Sequence, residues 1–160
     1  MPRVHTVKAA RKDYKDWGIK KGETYYWWKF RFGGKVMSKT YPKQSQLTRS
    51  EYYSTLYDLQ DEIAATEATS AEDLQSVRDD IIQRLEELRD EQEEKKSNMP
   101  DSLQESPTAE LLQERYDNLD NAISEFGGVD LDYDGEDDDE EALQEWIREK
   151  IDEMSNISFE

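Results

Sequence analysis

Between Gly22 and Tyr41 the chain reads GETYYWWKFRFGGKVMSKTY. Aromatic residues crowd Thr24 to Phe32, and aromatic side chains suit a pleated, half-buried surface. Gly33-Gly34 can supply the positive φ angles of a two-residue type I′ turn. A β-hairpin is therefore expected, with Phe32 opposite Lys35, Phe30 opposite Met37, Trp28 opposite Lys39 and Tyr26 opposite Tyr41. Side chains alternate across a strand. One face would then carry Tyr26, Trp28, Phe30, Phe32, Met37 and Tyr41, apolar enough to be a core. The other would carry Tyr25, Trp27, Lys29 and Arg31, where aromatic planes alternate with cations.

Charge divides the chain in two. The net charge of −18 over 160 residues combines a balance of +10 in residues 1–50 with −28 in residues 51–160. Such halves meet different partners, stand as a solvated acidic region beside a basic head, or fold together so that the acidic part masks the basic one. Only 34% of residues are hydrophobic against 38% charged, so a small packed region with exposed helices is expected. The absence of cysteine excludes disulfides, thiolate zinc sites and cysteine nucleophiles. It fits a reducing compartment, read as cytoplasmic. No apolar run approaches the roughly 18 residues of a membrane span, and the segment MPRVHTVKAARK has no apolar stretch of the secretory type.

In chain order, Val4 to Val7 is a short candidate strand. Lys8, Arg11, Lys12, Lys15, Lys20 and Lys21 follow in a basic, irregular segment with Tyr14 and Trp17 between them. That segment reads as a phosphate-contacting arm, or as a surface loop anchored by its aromatics. After Pro42, Thr48 and Glu51 form a candidate capping box, with Leu47 and Tyr52 as its staple. The helix beyond carries Tyr52, Leu56, Leu59 and Ile63 on one stripe to about Ala65. Ser70 and Asp73 repeat the capping pattern before a helix over 71–96, lined by Leu74, Val77, Ile81, Leu85 and Leu88. A short break favours antiparallel packing of these two helices, while Asp90 to Lys96 has lost its apolar stripe. Ser106-Pro107 opens a helix over 107–126, where Leu112, Tyr116, Leu119, Ile123 and Phe126 step as a coiled-coil seam. Its partner is the preceding helix or another copy of the chain. A last helix, 140–154, carries Leu143, Trp146, Ile147, Ile151 and Met154, and residues 155–160 read as a tail. The fold class is α+β: a small N-terminal antiparallel sheet of two or three strands, followed by a mostly helical acidic region of about four helices. Residues 1–65 form the head and 66–160 the acidic region.

Tyr25 to Phe32, Gly33-Gly34-Lys35, Ser38-Lys39-Thr40 and the capped helix after them resemble the arm-type, AP2-like DNA-binding domain of phage and transposon tyrosine integrases. The resemblance covers about residues 1–65. It implies a three-stranded sheet backed by a helix, whose sheet face enters the DNA major groove. It places Tyr25, Trp27, Lys29, Arg31 and Ser38 on the reading face. Two features depart from the family: the first strand is weak, and no integrase catalytic domain follows. The whole chain is similar to small phage-encoded proteins with a basic aromatic head and an acidic helical tail, a likeness that implies origin and no activity. For a phage-encoded chain the compartment is the host cytoplasm.

Catalysis finds little support. His5 is the only histidine, so the histidine and paired arginines of recombinase chemistry do not assemble. A triad built on His5 lacks a nucleophile elbow, and no phosphate-binding glycine loop occurs. Asp130, Asp132, Asp134, Gly135 and Glu141 match the D-x-D-x-D-G-x5-E spacing of a calcium loop, with hard oxygen ligands at alternate positions. Asp137 stands where such a loop has an apolar residue, Gly127-Gly128 interrupts the entering helix, and no second loop is present; the other reading is an acidic linker. Dense carboxylates on helices also resemble DNA mimicry, the device of phage anti-restriction proteins. The preferred reading is a non-enzymatic nucleic-acid-binding accessory protein, probing DNA through Tyr25, Trp27, Lys29, Arg31 and Ser38. Lys8, Arg11, Lys12, Lys20 and Lys21 would hold phosphates, which position without specifying. The alternative is an inhibitor of a host DNA-binding or defence protein, acting through the acidic helices. No cofactor is expected apart from possible calcium. A homo-oligomer through the helices is a further expectation, and no membrane partner is.

Overall fold

The computed structural model describes residues 1–135 and 140–159. Three strands, β1 (His5–Val7), β2 (Tyr25–Lys29) and β3 (Lys35–Ser38), precede four helices: α1 (Glu51–Ala64), α2 (Ala71–Ser97), α3 (Pro107–Gly128) and α4 (Glu140–Ser155). The expected α+β class is the observed one. The chain divides into two compact units, Met1–Asp58 and Leu59–Glu160, so the division falls within α1.

In the first unit the strands form an antiparallel sheet with β2 in the centre. Its second hairpin has a different register from the one expected. Tyr26 pairs with Ser38, Trp27 with Met37, Trp28 with Val36 and Lys29 with Lys35. The turn is the whole of 30–34 instead of Gly33-Gly34 alone, and Gly34 lacks the positive φ that a type I′ turn requires. The reason lies at Trp28, which is 2% exposed. The expected register sets Lys39 beside it, and an ammonium in a dry site is costly. The observed one sets Val36 there and leaves Lys39 in solvent, 3.3 Å from Glu23. Because the slip is an odd number of residues, β3 presents its opposite side to each face of β2. Met37 thus joins Trp27, and Ser38 lies on the face of Tyr26 and Trp28.

The face of β2 that carries Tyr25 and Trp27 is partly covered by the segment before it. The Ala10 N–H donates to the Glu23 carbonyl at 2.9 Å, and the Gly22 N–H returns the bond to Ala10 at 2.9 Å. Tyr14 and Ile19 exchange a pair of backbone bonds around a 3-10 turn at Lys15–Trp17. Gly18 closes that turn in the left-handed region, at φ 64°. The expected irregular arm is therefore a folded flap. Ala10, Ile19 and Tyr25 form a small core, flanked by Val7, Tyr14, Trp27 and Met37. Tyr14 tilts against Tyr25 with ring centroids 5.5 Å apart, while Trp17 is 40% exposed.

α1 is capped by Ser50, not Thr48. The Ser54 N–H donates to the Ser50 carbonyl at 2.9 Å, and the Tyr53 N–H reaches the Ser50 hydroxyl at 3.5 Å. Thr48 instead accepts from the Ser50 N–H at 3.1 Å, a local turn of the kind short hydroxyl side chains make.

In the second unit the long helix–helix interface joins α2 to α3. Between α1 and α2, whose antiparallel pairing was expected, Glu62 near the end of α1 forms an ion pair with Arg84. Arg78 donates to the Val129 carbonyl at 3.4 Å, Arg89 to Asp120 at 3.0 Å and Lys96 to Gln113 at 2.6 Å. Advancing along α2 while retreating along α3, these links define an antiparallel pair. α2 buries Leu74, Ile81, Leu85, Leu88 and Gln92. Its acidic end is docked: Gln92 is 1% exposed, and Lys96 is tied to α3. α3 buries Ala109, Leu112, Leu119, Ala122 and Phe126, so the expected seam residues Tyr116 and Ile123 flank the contact, half-buried. Ile147 and Met154 are the buried positions of α4. Residues 155–159 are not a loose tail, since Phe159 is 1% exposed and stacks on Phe126 at 5.9 Å.

Candidate nucleic-acid interface

Alternation within β2 places Tyr25, Trp27 and Lys29 on one face, as the spacing alone requires. Neighbouring strands decide what that face offers. Tyr25 is 5% exposed, sunk in the core beneath the flap. Its phenol is held above the ordinary tyrosine range, first by hydrogen bonding to Tyr14 and then by burial. It remains neutral at physiological pH.

Trp27 is half-buried and already has two companions. His5, paired with it across β1, stacks on the indole at 4.2 Å and 12°. Lys35 comes from β3, on the other flank of β2, with its ammonium 4.1 Å from the ring centroid. Approaching from strands on either side, they occupy opposite faces of one indole. The aromatic plane expected to receive a base is filled by the protein itself.

Lys29 is exposed and sits directly across from Lys35. Like charges opposite one another destabilise a strand pair, and here cation–π contact with Trp27 absorbs part of that cost. Arg31 is exposed in the 30–34 turn, beyond the sheet, its guanidinium 5.3 Å from the Phe32 ring. Phe32, expected in the core, is 73% exposed. Arg49, in the connector before α1, lies over Phe30 at 5.2 Å and abuts Gly33. Lys29, Arg31, Lys35 and Arg49 thus gather at the turn end of the hairpin, and neither Lys35 nor Arg49 was singled out from sequence. The signal for Lys35 was hidden by the register; Arg49 reads in sequence as the start of a helix.

The remaining candidates lie elsewhere. Lys8 follows Val7, which pairs with Tyr25 at the far end of β2, about 13 Å from Lys29 along the strand. Lys8, Arg11, Lys12, Lys20 and Lys21 are all exposed on or beside the flap. Lys12 approaches the Tyr14 ring at 5.5 Å. Glu23 stays ionised among these cations: the Lys20 N–H at 2.7 Å, and then Lys39, hold its carboxyl below the ordinary range. Ser38 stands on the opposite face and spends its hydroxyl on Thr40, accepting from its N–H at 3.2 Å.

The acidic unit shows the reverse pattern. Arg78 and Arg89 lie against the α2–α3 pair with side chains 22% exposed, whereas their partners Asp79 and Asp90 are each 67% exposed. Burial alone would disfavour the Arg89 charge, but Asp90 and Asp120 outweigh it and raise its pKa. In these two pairs the cation lies inward and the carboxylate stands outermost.

At the candidate calcium loop, Val129 and Leu131 are buried while Asp130, Asp132 and Asp134 are exposed. The Asp132 N–H donates to Asp130 at 3.0 Å, and Glu141 belongs to the first turn of α4. Asp137 lies outside the described residues, as does the rest of 136–139. Among the described residues no cluster of three potential ligands is assembled, and no helix is long and apolar enough to cross a membrane.

No family model, curated protein or solved structure matches the chain.

Proposed function

We propose that the chain is a non-enzymatic, phage-type accessory protein whose first unit holds nucleic acid, DNA in the first instance, through the turn end of its hairpin. One observation carries this reading: Lys29 faces Lys35 across the strands, with Arg31 in the adjoining turn. A like-charge pair strains the protein alone and is relieved by a polyanion. With Trp27 enclosed by His5 and Lys35, contact is led by phosphates. Lys8, Arg11, Lys12, Lys20 and Lys21 extend the same field along the flap. The double variant Lys29→Glu/Arg31→Glu should lose retention of a duplex in a gel-shift titration, and single reversals should lower the slope of affinity against salt. Unchanged binding by the double variant would remove the reading.

A second reading rests on the outward carboxylates of α2, such as Asp79 and Asp90, and of α3, such as Asp120. Such a surface suits an inhibitor of a host DNA-binding or defence protein that competes with DNA. Competition between the full chain and a duplex for that protein, unaffected by Lys29→Glu/Arg31→Glu, would favour this reading over the first.

A further inference from the structure

Phe32 is the largest side chain left in solvent at the hairpin tip, at 73% exposure. A lone exposed apolar residue is ordinary; its surroundings are not. Gly33, at φ 153°, holds a backbone conformation that residues with a Cβ rarely adopt, and a Cβ there would collide with the Arg49 guanidinium. Arg49 also covers Phe30 at 5.2 Å. The exposed Arg49 side chain thus lies against the turn at Gly33 and Phe30. A Cβ on Gly34 would meet nothing within 4 Å, so the backbone two residues beyond Phe32 is open to close approach. Arg31 lies 5.3 Å from the Phe32 ring, and Lys35 follows the two glycines.

We propose that Phe32 stacks on an unpaired base of bound nucleic acid while Arg31 and Lys35 take the flanking phosphates. This rests on the nucleic-acid reading above and specifies it. Single-stranded or locally unpaired substrate is favoured because its bases have free π faces, whereas a duplex step must first be unstacked. A lipid surface fits less well: a single exposed ring with Arg31 against it offers little apolar area.

The test uses the full chain with Phe32→Ala and Phe32→Trp, titrated with a single-stranded oligonucleotide, the matching duplex and anionic phospholipid vesicles. Phe32→Ala should weaken single-strand binding roughly 5- to 100-fold, with the salt slope unchanged because no phosphate contact is lost. Phe32→Trp should retain affinity. A fluorescent purine analogue in the strand should be quenched by the wild type and not by Phe32→Ala. Equal single-strand affinity of Phe32→Ala and wild type would overturn the proposal. So would a parallel fall in salt slope, or a loss of vesicle binding with nucleic-acid binding intact. If Lys29→Glu/Arg31→Glu abolishes binding but Phe32→Ala does not weaken it, only the stacking role falls. If the wild type binds neither strand nor duplex, both fall.

Discussion

Asp73 stands three residues beyond Ser70, where a capping box has its return partner, yet its carboxylate accepts from the Thr69 N–H at 3.0 Å and the Thr69 hydroxyl at 2.7 Å. Those two bonds, the hydroxyl's first, hold its pKa below the ordinary aspartate value. A depressed carboxyl pKa stabilises the fold above the ordinary range, and that contribution is lost as pH falls through the folded value. Asp73→Asn should therefore melt below the wild type near neutral pH, and the gap should close as pH falls through the folded value. A gap independent of pH would assign the effect to shape instead of charge. The cap was legible because hydroxyl and carboxylate spacing is local. The enclosure of Trp27 was not: strand period two determines which way its ring points, but His5 and Lys35 belong to other strands.

The helices were easier to read than their partners. Ser70 caps α2 by accepting from the Asp73 N–H at 3.1 Å, and Ser106 caps α3 by accepting from Ala109 at 3.3 Å, with Pro107 at the first helical position. Which helices would pair was less legible, because the buried stripe of α2 ends in a polar residue. Gln92 continues the steps of Ile81, Leu85 and Leu88, so its burial follows from position, not polarity. Its amide donates to the Leu88 carbonyl at 3.0 Å, while its own oxygen is buried without a donor among the described residues. An unsatisfied buried acceptor costs about 1–3 kcal/mol. Gln92→Leu should accordingly raise stability by about 1 kcal/mol, measured as a higher urea midpoint with unchanged slope. A lower midpoint would show that the glutamine is engaged. In the hairpin, likewise, both strands are visible in composition, but their register depends on which residue accompanies the buried Trp28.

At the scale of the whole chain, the partition of charge was plain, while burial near position 159 was hidden among polar neighbours. Phe159 is 1% exposed against Phe126, so Phe159→Ala should cost about 3–5 kcal/mol. Chemical denaturation of the intact chain checks this; a cost under about 1 kcal/mol would be typical of a surface side chain.

The outward carboxylates of α2 and α3 also bear on crowding. If the first unit holds a polyanion as proposed, two copies side by side would each carry this negative charge, and like charges repel within a Debye length. Neighbouring sites should therefore fill anticooperatively in dilute buffer. Added salt should weaken each attachment yet allow denser occupancy, a divergence visible when binding density is followed along a long DNA at several ionic strengths.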